Sequence, residues 1–426
     1  MNGDNNHCAI TVAAEPPALL KSSAGTCSCY IFRVPKSLSE SNANAYKPRV
    51  VSVGPYHHGQ EQLKLIEQHK PRVFDTLLIR TGGCMDNYFN AVASRETHIR
   101  DSYSEALDCN TSDLIKMMIL DACFVVEFFC VSAGVIPLDD DPLFSMPWIV
   151  SFLMLDVLMI ENQIPIFVLR EIYELSKSPS DADRSLDVIA LGFFNSVLQW
   201  PKEDLQRYSG VCNITHLLDL FRLCLVGELA PENPPMVDKE LLQLMPSANQ
   251  LLQVGIKFKR RKSKNLISVE FDHGVLQIPP LTLDRFTSSF FLNCVAYEQS
   301  YHYCSKHISS YAVLMRCLMS TAADAAVLSQ CGIITNFLGT DEEVARFFND
   351  LVKDVLFDIK SSYLAELFGQ VTQYRPNKWR VWWPGIKRKY FGSPWSFISA
   401  AAAFTLLVLT IFQAAFAVYA HYHPKK

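Results

Sequence analysis

The 426-residue chain has no Cys-x-x-Cys pair, no glycine-rich run among its 17 glycines, no Gly-x-Ser-x-Gly turn and no cysteine-protease signature. Those gaps remove the usual sequence grounds for a zinc ribbon, a phosphate-cradling loop or a hydrolase nucleophile elbow. Charge of one sign is also scarce. A formal net charge of −4 gives no global push toward nucleic acid, and we expect no nucleic-acid partner. What is abundant is apolar: 49% of residues are hydrophobic and 12% aromatic, enough for a large buried core and too much for a disordered chain. The thirteen cysteines are an odd number, and Cys123, Cys130, Cys224 and Cys317 fall in apolar helical stretches, the pattern of buried free thiols in a reducing compartment. Cys27 and Cys29 have no nearby ligand residues and read as incidental.

The N-terminus lacks a secretory signal, since MNGDNNHCAITVAAEPPALL carries an acid where bases are needed and breaks its apolar run at Glu15, Pro16 and Pro17. Residues 1–28 read as a disordered leader. At the other end, Phe397 to Ala420 contains no Asp, Glu, Lys, Arg or His, and eleven of its 24 residues are Phe, Ile, Leu or Val. As a helix it would be roughly 36 Å long, enough to cross a hydrocarbon core of about 30 Å. We therefore expect a C-terminal transmembrane helix, with Leu406 and Leu409 among its apolar body and the bilayer as a partner. Gln413, its one strongly polar side chain, and the face of Ala400, Ala403, Ala414 and Ala417 offer a route to self-association. Lys378, Arg380, Lys387, Arg388 and Lys389 precede the span and only Lys425 and Lys426 follow it, which puts the main domain in the cytosol by the positive-inside rule. With six residues after the span, insertion is expected to follow translation, at the plasma membrane or an endomembrane. Leu114 to Ala133 is as apolar, but Lys116, Asp121 and Glu127 make it a buried helix of a core rather than a second span.

Between leader and span, we expect one predominantly helical domain over residues 29–375, then a basic juxtamembrane segment over 376–396 and a short tail over 421–426. Helices are predicted over Glu61–Ile79, Tyr88–Leu107, Asp113–Ala133, Pro147–Met159 and Pro165–Leu175, the last with Pro165 in its first turn and Asn162 as its cap. Further helices fall at Val188–Val197, Ile214–Val226, Leu283–Tyr301 and Tyr311–Ala322. Loops separate some of these, at Ser176–Asp187 and Ala230–Pro235. Thr340 and Glu343 form a capping box for a helix carrying Val344, Phe347, Phe348, Leu351, Val355 and Ile359 on one face. One β-hairpin is predicted, LISVEF from Leu266 and VLQIPPL from Val275, closed by a three-residue turn, Asp272-His273-Gly274.

Candidate chemistry is thin. His57 and His58, in Gly54-Pro55-Tyr56-His57-His58-Gly59, are the most metal-like group with His69 beyond, yet no carboxylate or cysteine completes a set at a usual spacing, so a turn whose imidazoles bond to backbone is preferred. Asp121, Glu127, Asp156 and Glu161 lie inside apolar helices; paired buried acids suit acid–base catalysis, but no Glu-x-x-His pattern accompanies them and structural partners are the commoner reason for such acids. The run Lys257-Phe258-Lys259-Arg260-Arg261-Lys262-Ser263-Lys264 reads as a solvated loop before the hairpin, with acidic lipid headgroups as the other option. Two sequons, Asn110-Thr111-Ser112 and Asn213-Ile214-Thr215, matter only if the domain faces away from the cytosol. No catalytic, cofactor or metal residue is assigned.

Several phrases together resemble one family, the plant-specific proteins grouped as domain of unknown function 247, also catalogued as uncharacterised protein family 0481. They are IFRVPKSL at Ile31, PRVVSVGPYHHG at Pro48, LIKMMILDACFVVE at Leu114, LDVLMIENQIPIFVL at Leu155, HLLDLFR at His216, MPSANQLLQVGIKFK at Met245, VEFDHGVLQIPPL at Val269, GIITNFLGTDEEVARFFNDL at Gly332, and YFGSPWSFIS. Family motifs favour glycine where Ala122 stands. The motif residues carried over are Pro55, His57, His58, Asp121, Glu161, Asn162, Gln163 and Pro165. The resemblance implies a largely helical fold, a C-terminal anchor, a plant source and no established catalysis; some grass members are associated with pollen-side self-incompatibility, which implies recognition of protein partners. The expectation is a membrane-tethered recognition protein without catalysis. The alternative is a membrane-bound, hydrolase-like enzyme using the four acids or the His57/His58 pair.

Overall fold

The segment Leu114–Ala133 decides the architecture, because a helix that is apolar all round has to be enclosed. In the computed structural model, which describes residues 20–39, 42–137, 142–178, 183–198, 200–227, 243–263, 265–374 and 394–422, it forms α4 (Thr111–Ser132), and fifteen of its side chains are buried. Asn110 starts it by accepting the Asp113 N–H at 2.8 Å, and Gly134, at φ +67°, follows its end. Around α4 pack α1 (Lys64–Thr81), α2 (Met85–Ala93), α6 (Ile166–Ser176) and α7 (Leu186–Leu198), with the short α3 (Glu96–Asp101) and α5 (Pro147–Asp156) at the margins.

A second group assembles around α10 (Arg285–Ser300), with α8 (Leu217–Val226), α9 (Ala248–Gln253), α11 (His307–Leu318), α12 (Ala322–Gln330) and α13 (Asp341–Leu351). The groups meet where α10 packs on α5 and α8 on α7, and one continuous apolar cluster runs through both. Two small sheets sit beside them. β1 (Lys257–Arg260), β3 (Val275–Ile278) and β2 (Glu270–Asp272) lie in that spatial order, β1 parallel and β2 antiparallel to β3, while β4 (Leu281–Leu283) pairs in parallel with β5 (Ile334–Asn336). Helix α14 (Ala365–Gln373) packs on β2. The described chain is thus mainly helical with small sheets.

Several expectations need correction. The helix read over Tyr88–Leu107 is two, α2 and α3, broken at residues 94–95. The one read over Tyr311–Ala322 belongs to α11 and α12, which bend by 105°. The Thr340/Glu343 capping box is present, but α13 stops at Leu351, so Val355 and Ile359 pack outside the helix. The hairpin turn has two residues, not three: Asp272 pairs with Val275, and His273 (φ +47°) and Gly274 (φ +80°) both adopt the left-handed conformation. That is the geometry whose twist matches paired strands. The basic run is not a loop at its start, since Lys257–Arg260 is strand β1; Lys264 lies outside the described residues.

The last helix, α15, runs from Pro394 to Tyr422. Among the described residues no single helix is long and apolar enough to cross a membrane; the apolar part described in α15 is Ala402–Ala415, about 21 Å of helix. Phe397 and Ala420 fall inside α15, but their side chains lie outside the described set, as do residues 1–19 of the leader, the 230–235 loop and residues 376–393 of the basic segment, whose last three residues, 394–396, begin α15.

Candidate functional site

The segment Arg49–His58 crosses the domain without a strand or helix of its own, and Val51, Ser52, Val53, Gly54, Tyr56 and His57 are buried. Backbone groups buried in this way need partners from elsewhere. Side chains of the first helical group supply them. Asp156, the last residue of α5, accepts the N–H groups of Arg49, Val50 and Val51 on one oxygen, at 2.9, 2.8 and 3.1 Å. Asn162 accepts the Val53 N–H at 2.7 Å and donates to the carbonyls of Val51 and Asp156. Asp121, in the middle of α4, accepts the Gly54 N–H at 2.7 Å.

The other Asp121 oxygen takes a 2.5 Å hydrogen bond from Lys70 of α1, and the same ammonium donates to the Ser52 carbonyl at 2.6 Å and to Glu67. Lys70 is 1% exposed, a buried cation whose three donors are all used. Gly54 has φ +86°, and a Cβ there would lie 2.5 Å from the Gln163 carbonyl, so only glycine lets this strap, Arg49–His58, approach the chain at Gln163 so closely. Tyr103 donates its hydroxyl to that carbonyl, and the Gln163 amide donates to Val157 and Met159, closing the turn that carries Asn162.

Electrostatics follow from this enclosure. Burial pushes Asp156 up to about 7, against the downward pull of the Val50 and Val51 N–H groups and of His57. Burial likewise raises Glu67, which Lys70 opposes, and Glu127, which Arg80 opposes from the end of α1. The second Asp156 oxygen is buried and has no hydrogen-bond partner among the described residues.

The carried-over motif residues divide accordingly. Pro55, His57, Asp121, Glu161, Asn162 and Gln163 do come together, on or around the strap, while Pro165 follows them at the start of α6. His57 puts Nε2 3.2 Å from Glu161 and receives Gln60 at Nδ1; Glu161 also accepts the Val34 N–H at 2.7 Å and lies 3.8 Å from Arg33. His58 points outward, 3.6 Å from Glu67. The imidazoles therefore meet side chains, not the backbone partners expected. Nor is Asn162 a helix cap: Pro165 holds the N-cap position of α6, because the Asn162 amide is already committed to the strap.

A second buried polar centre joins α8 to α10, and reading the sequence for acids alone missed it. Arg222 lies 3.2 Å from Asp219 and 3.3 Å from Glu298, and all three are under 4% exposed. Glu298 also accepts the N–H groups of Ile308 and Ser309 at the start of α11. Burial works against the Arg222 charge, but Glu298 and Asp219 more than offset it and its pKa is raised; Glu298 itself is raised by burial. His216, fully buried against Tyr297, caps α8 by accepting the Asp219 N–H, and burial lowers it to about 4, so it is neutral near pH 7. The available signal was a charged residue within the apolar run LLDLFRLCLV, the same signal that marked the four acids. For Lys70 it was helical spacing, which puts it on the face of Ile66, Val73, Phe74 and Leu77.

An open groove among the described residues lies elsewhere. A cavity of about 970 Å³ lies between α9, α11, α12 and the chain after α13, and none of the four sequence-marked acids lines it. Its polar floor is Asp324, which accepts from Ser247, Asn249, Ser320 and Thr321; burial favours its neutral form, yet these bonds bring it down to about 2.

Comparison with known proteins matches residues 31–409 to a family model described as plant protein of unknown function. The UPF0481 protein At3g47200 of Arabidopsis thaliana is 38% identical over 98% of this chain and 92% of its own length. The putative UPF0481 protein At3g02645 of the same plant is 22% identical over 90% of this chain and 89% of its own. No solved structure matches. The chain belongs to this plant family of unknown function.

Proposed function

We propose that this member of the family is a membrane-tethered recognition protein without catalysis, whose helical domain presents a protein-binding surface beside the bilayer. The observation that carries the reading is α15. Its side chains Phe404, Leu406, Leu407, Leu409, Ile411 and Phe412 stand at least half exposed instead of packing on the core. A 29-residue helix would be about 44 Å long, and an unpartnered apolar face on it suits lipid. The role without catalysis is supported by how the four acids are engaged. Asp121 holds Lys70 and Gly54, Glu127 holds Arg80, Asp156 holds three backbone N–H groups and Glu161 holds Val34 and His57. Recognition between plant cells, self-incompatibility included, is the setting that the family resemblance offers.

Alkaline carbonate extraction of the full chain from plant-cell membranes tests the tether. The wild type should stay in the membrane pellet and a Leu406→Glu/Leu409→Glu variant should leave it; release of the wild type would overturn the reading. Protease treatment of intact vesicles carrying an N-terminal tag tests sidedness, with digestion of the tag expected for a cytosolic domain and protection contradicting it.

A further inference from the structure

The parallel pairing of β1 leaves it at the edge of its sheet, and its sequence is unusual for an edge: Lys257, Phe258, Lys259, Arg260, followed by Arg261 and Lys262. Lys257, Lys259, Arg260 and Lys262 are exposed, and none of them has an ion-pair partner among the described residues. Two carboxylates belong to the same sheet. Glu270 is engaged by Arg261 and Asp272 by His273, both on β2, two strands away from β1 or about 10 Å. A concentration of uncompensated cations therefore lies along one free edge.

This sheet is also where the domain hands the chain on toward α15. Helix α14 packs on β2, and Tyr374, the last described residue of the domain, sets its ring edge-to-face on Phe271 at 5.4 Å. Residues 375–393 then lead to Pro394, and that sequence is itself rich in Lys and Arg. Whatever surface α15 enters is held at a raised effective concentration to the face of the domain from which the tether leaves. The cytosolic leaflet of a bilayer is negatively charged, and each Lys or Arg brought to it contributes on the order of 1 kcal/mol, about a fivefold gain in partitioning.

We propose that the β1 edge, through Lys257, Lys259, Arg260 and Lys262, binds anionic phospholipid headgroups and so fixes the orientation of the helical domain on its own bilayer. The proposal deepens the membrane-tether reading, and its test does not use the anchor. Lysines on an edge strand also serve to block edge-to-edge pairing. Charge reversal separates the two roles, because glutamates block an edge equally well and repel anionic lipid.

The experiment uses the full chain with Leu406→Glu, Leu409→Glu and Phe412→Glu, which disables α15, in flotation with vesicles of phosphatidylcholine alone or with about 30 mol% phosphatidylserine. The protein should float with the anionic vesicles only, and lose them as salt rises toward about 0.5 M. Adding Lys257→Glu, Lys259→Glu, Arg260→Glu and Lys262→Glu should lower anionic partitioning by about 100-fold or more. If that variant fails to fold by circular dichroism, Lys257→Gln/Lys259→Gln should lower it by at least about tenfold. Equal flotation on both vesicle types, unchanged binding after charge reversal, or retardation by duplex DNA without flotation would each overturn the proposal. Release of the wild type by carbonate would instead strike the tether and leave this result standing.

Discussion

Two of the buried polar centres among the described residues hold the fold by different means. Around Asp156, Asn162 and Asp121, side chains from ordered elements satisfy the backbone of a strap that has no secondary structure. Around Arg222, charge meets charge, and the pair of acids ties α8 to α10 and to the start of α11. The first centre decides where a loop goes, so its loss is local in the first instance. The second joins helices of the core, and removing its cation leaves two carboxylates buried without compensation. A buried polar residue in this chain therefore cannot be assigned to catalysis or to stability from its burial alone; what it bonds to decides.

Breaking the second centre should have the largest effect. Arg222→Ala is expected to cost about 3–5 kcal/mol of global stability, read as a fall in the urea midpoint. Arg222→Met with Glu298→Gln, which also neutralises one of the two stranded carboxylates, should recover part of it. Asp156→Ala, by contrast, should raise amide exchange first at Val50 and Val51, whose donors it strands. If Arg222→Ala released only local exchange and Asp156→Ala lowered the global midpoint as much, the distinction between the centres would fail.

The pH dependences of Asp156 and His216, one from each region, run in opposite directions. Asp156 is raised from its unfolded value of 3.8 to about 7. Its folded form holds a proton that the unfolded chain has lost, so its contribution is full below about pH 4 and is lost by pH 7, a change of about 4 kcal/mol. His216 is lowered from 6.5 to about 4. The unfolded chain takes the proton first, so this contribution is full above pH 6.5 and falls away toward pH 4, by about 3 kcal/mol. Between pH 4 and 7 the two nearly cancel, with Glu298 adding to the Asp156 direction. Asp156→Asn should tilt the urea midpoint upward with pH and His216→Asn, which keeps an N-cap acceptor, should tilt it downward. Parallel curves for the two variants would break the comparison.

How far this was legible in the sequence depends on the range of each interaction. Local grammar was readable: the continuous apolar run announced α4, Thr340 and Glu343 announced α13, and the separation of the acids from water followed from their apolar neighbours. Partners more than fifty residues away were not. Nothing near Asp121 points to Lys70, and nothing near Asp156 says that its acceptors face Val50 and Val51. Asn162 misled for the same reason, since a residue that suits a cap was used for a long-range bond with Val53 instead. The open groove was missed because Asp324 sits in a short, alanine-rich helix whose pattern carries no amphipathic signal.

An interaction that is both local and exposed sets the lower end of the scale. Thr340 caps α13 by accepting the Glu343 N–H at 3.2 Å, and the Glu343 carboxylate returns to the Thr340 N–H at 2.7 Å. Removing the threonine hydroxyl strands one donor that water can reach. Thr340→Ala should cost about 1 kcal/mol, with the largest loss of amide protection in the first turn of α13. Its cost should be the same at pH 5 and pH 7, because neither Asp156 nor His216 touches this cap. A cost of the Arg222 kind would mean that α13 is bound into the second centre more tightly than its exposed capping box implies, through Phe348, which meets Phe291 of α10.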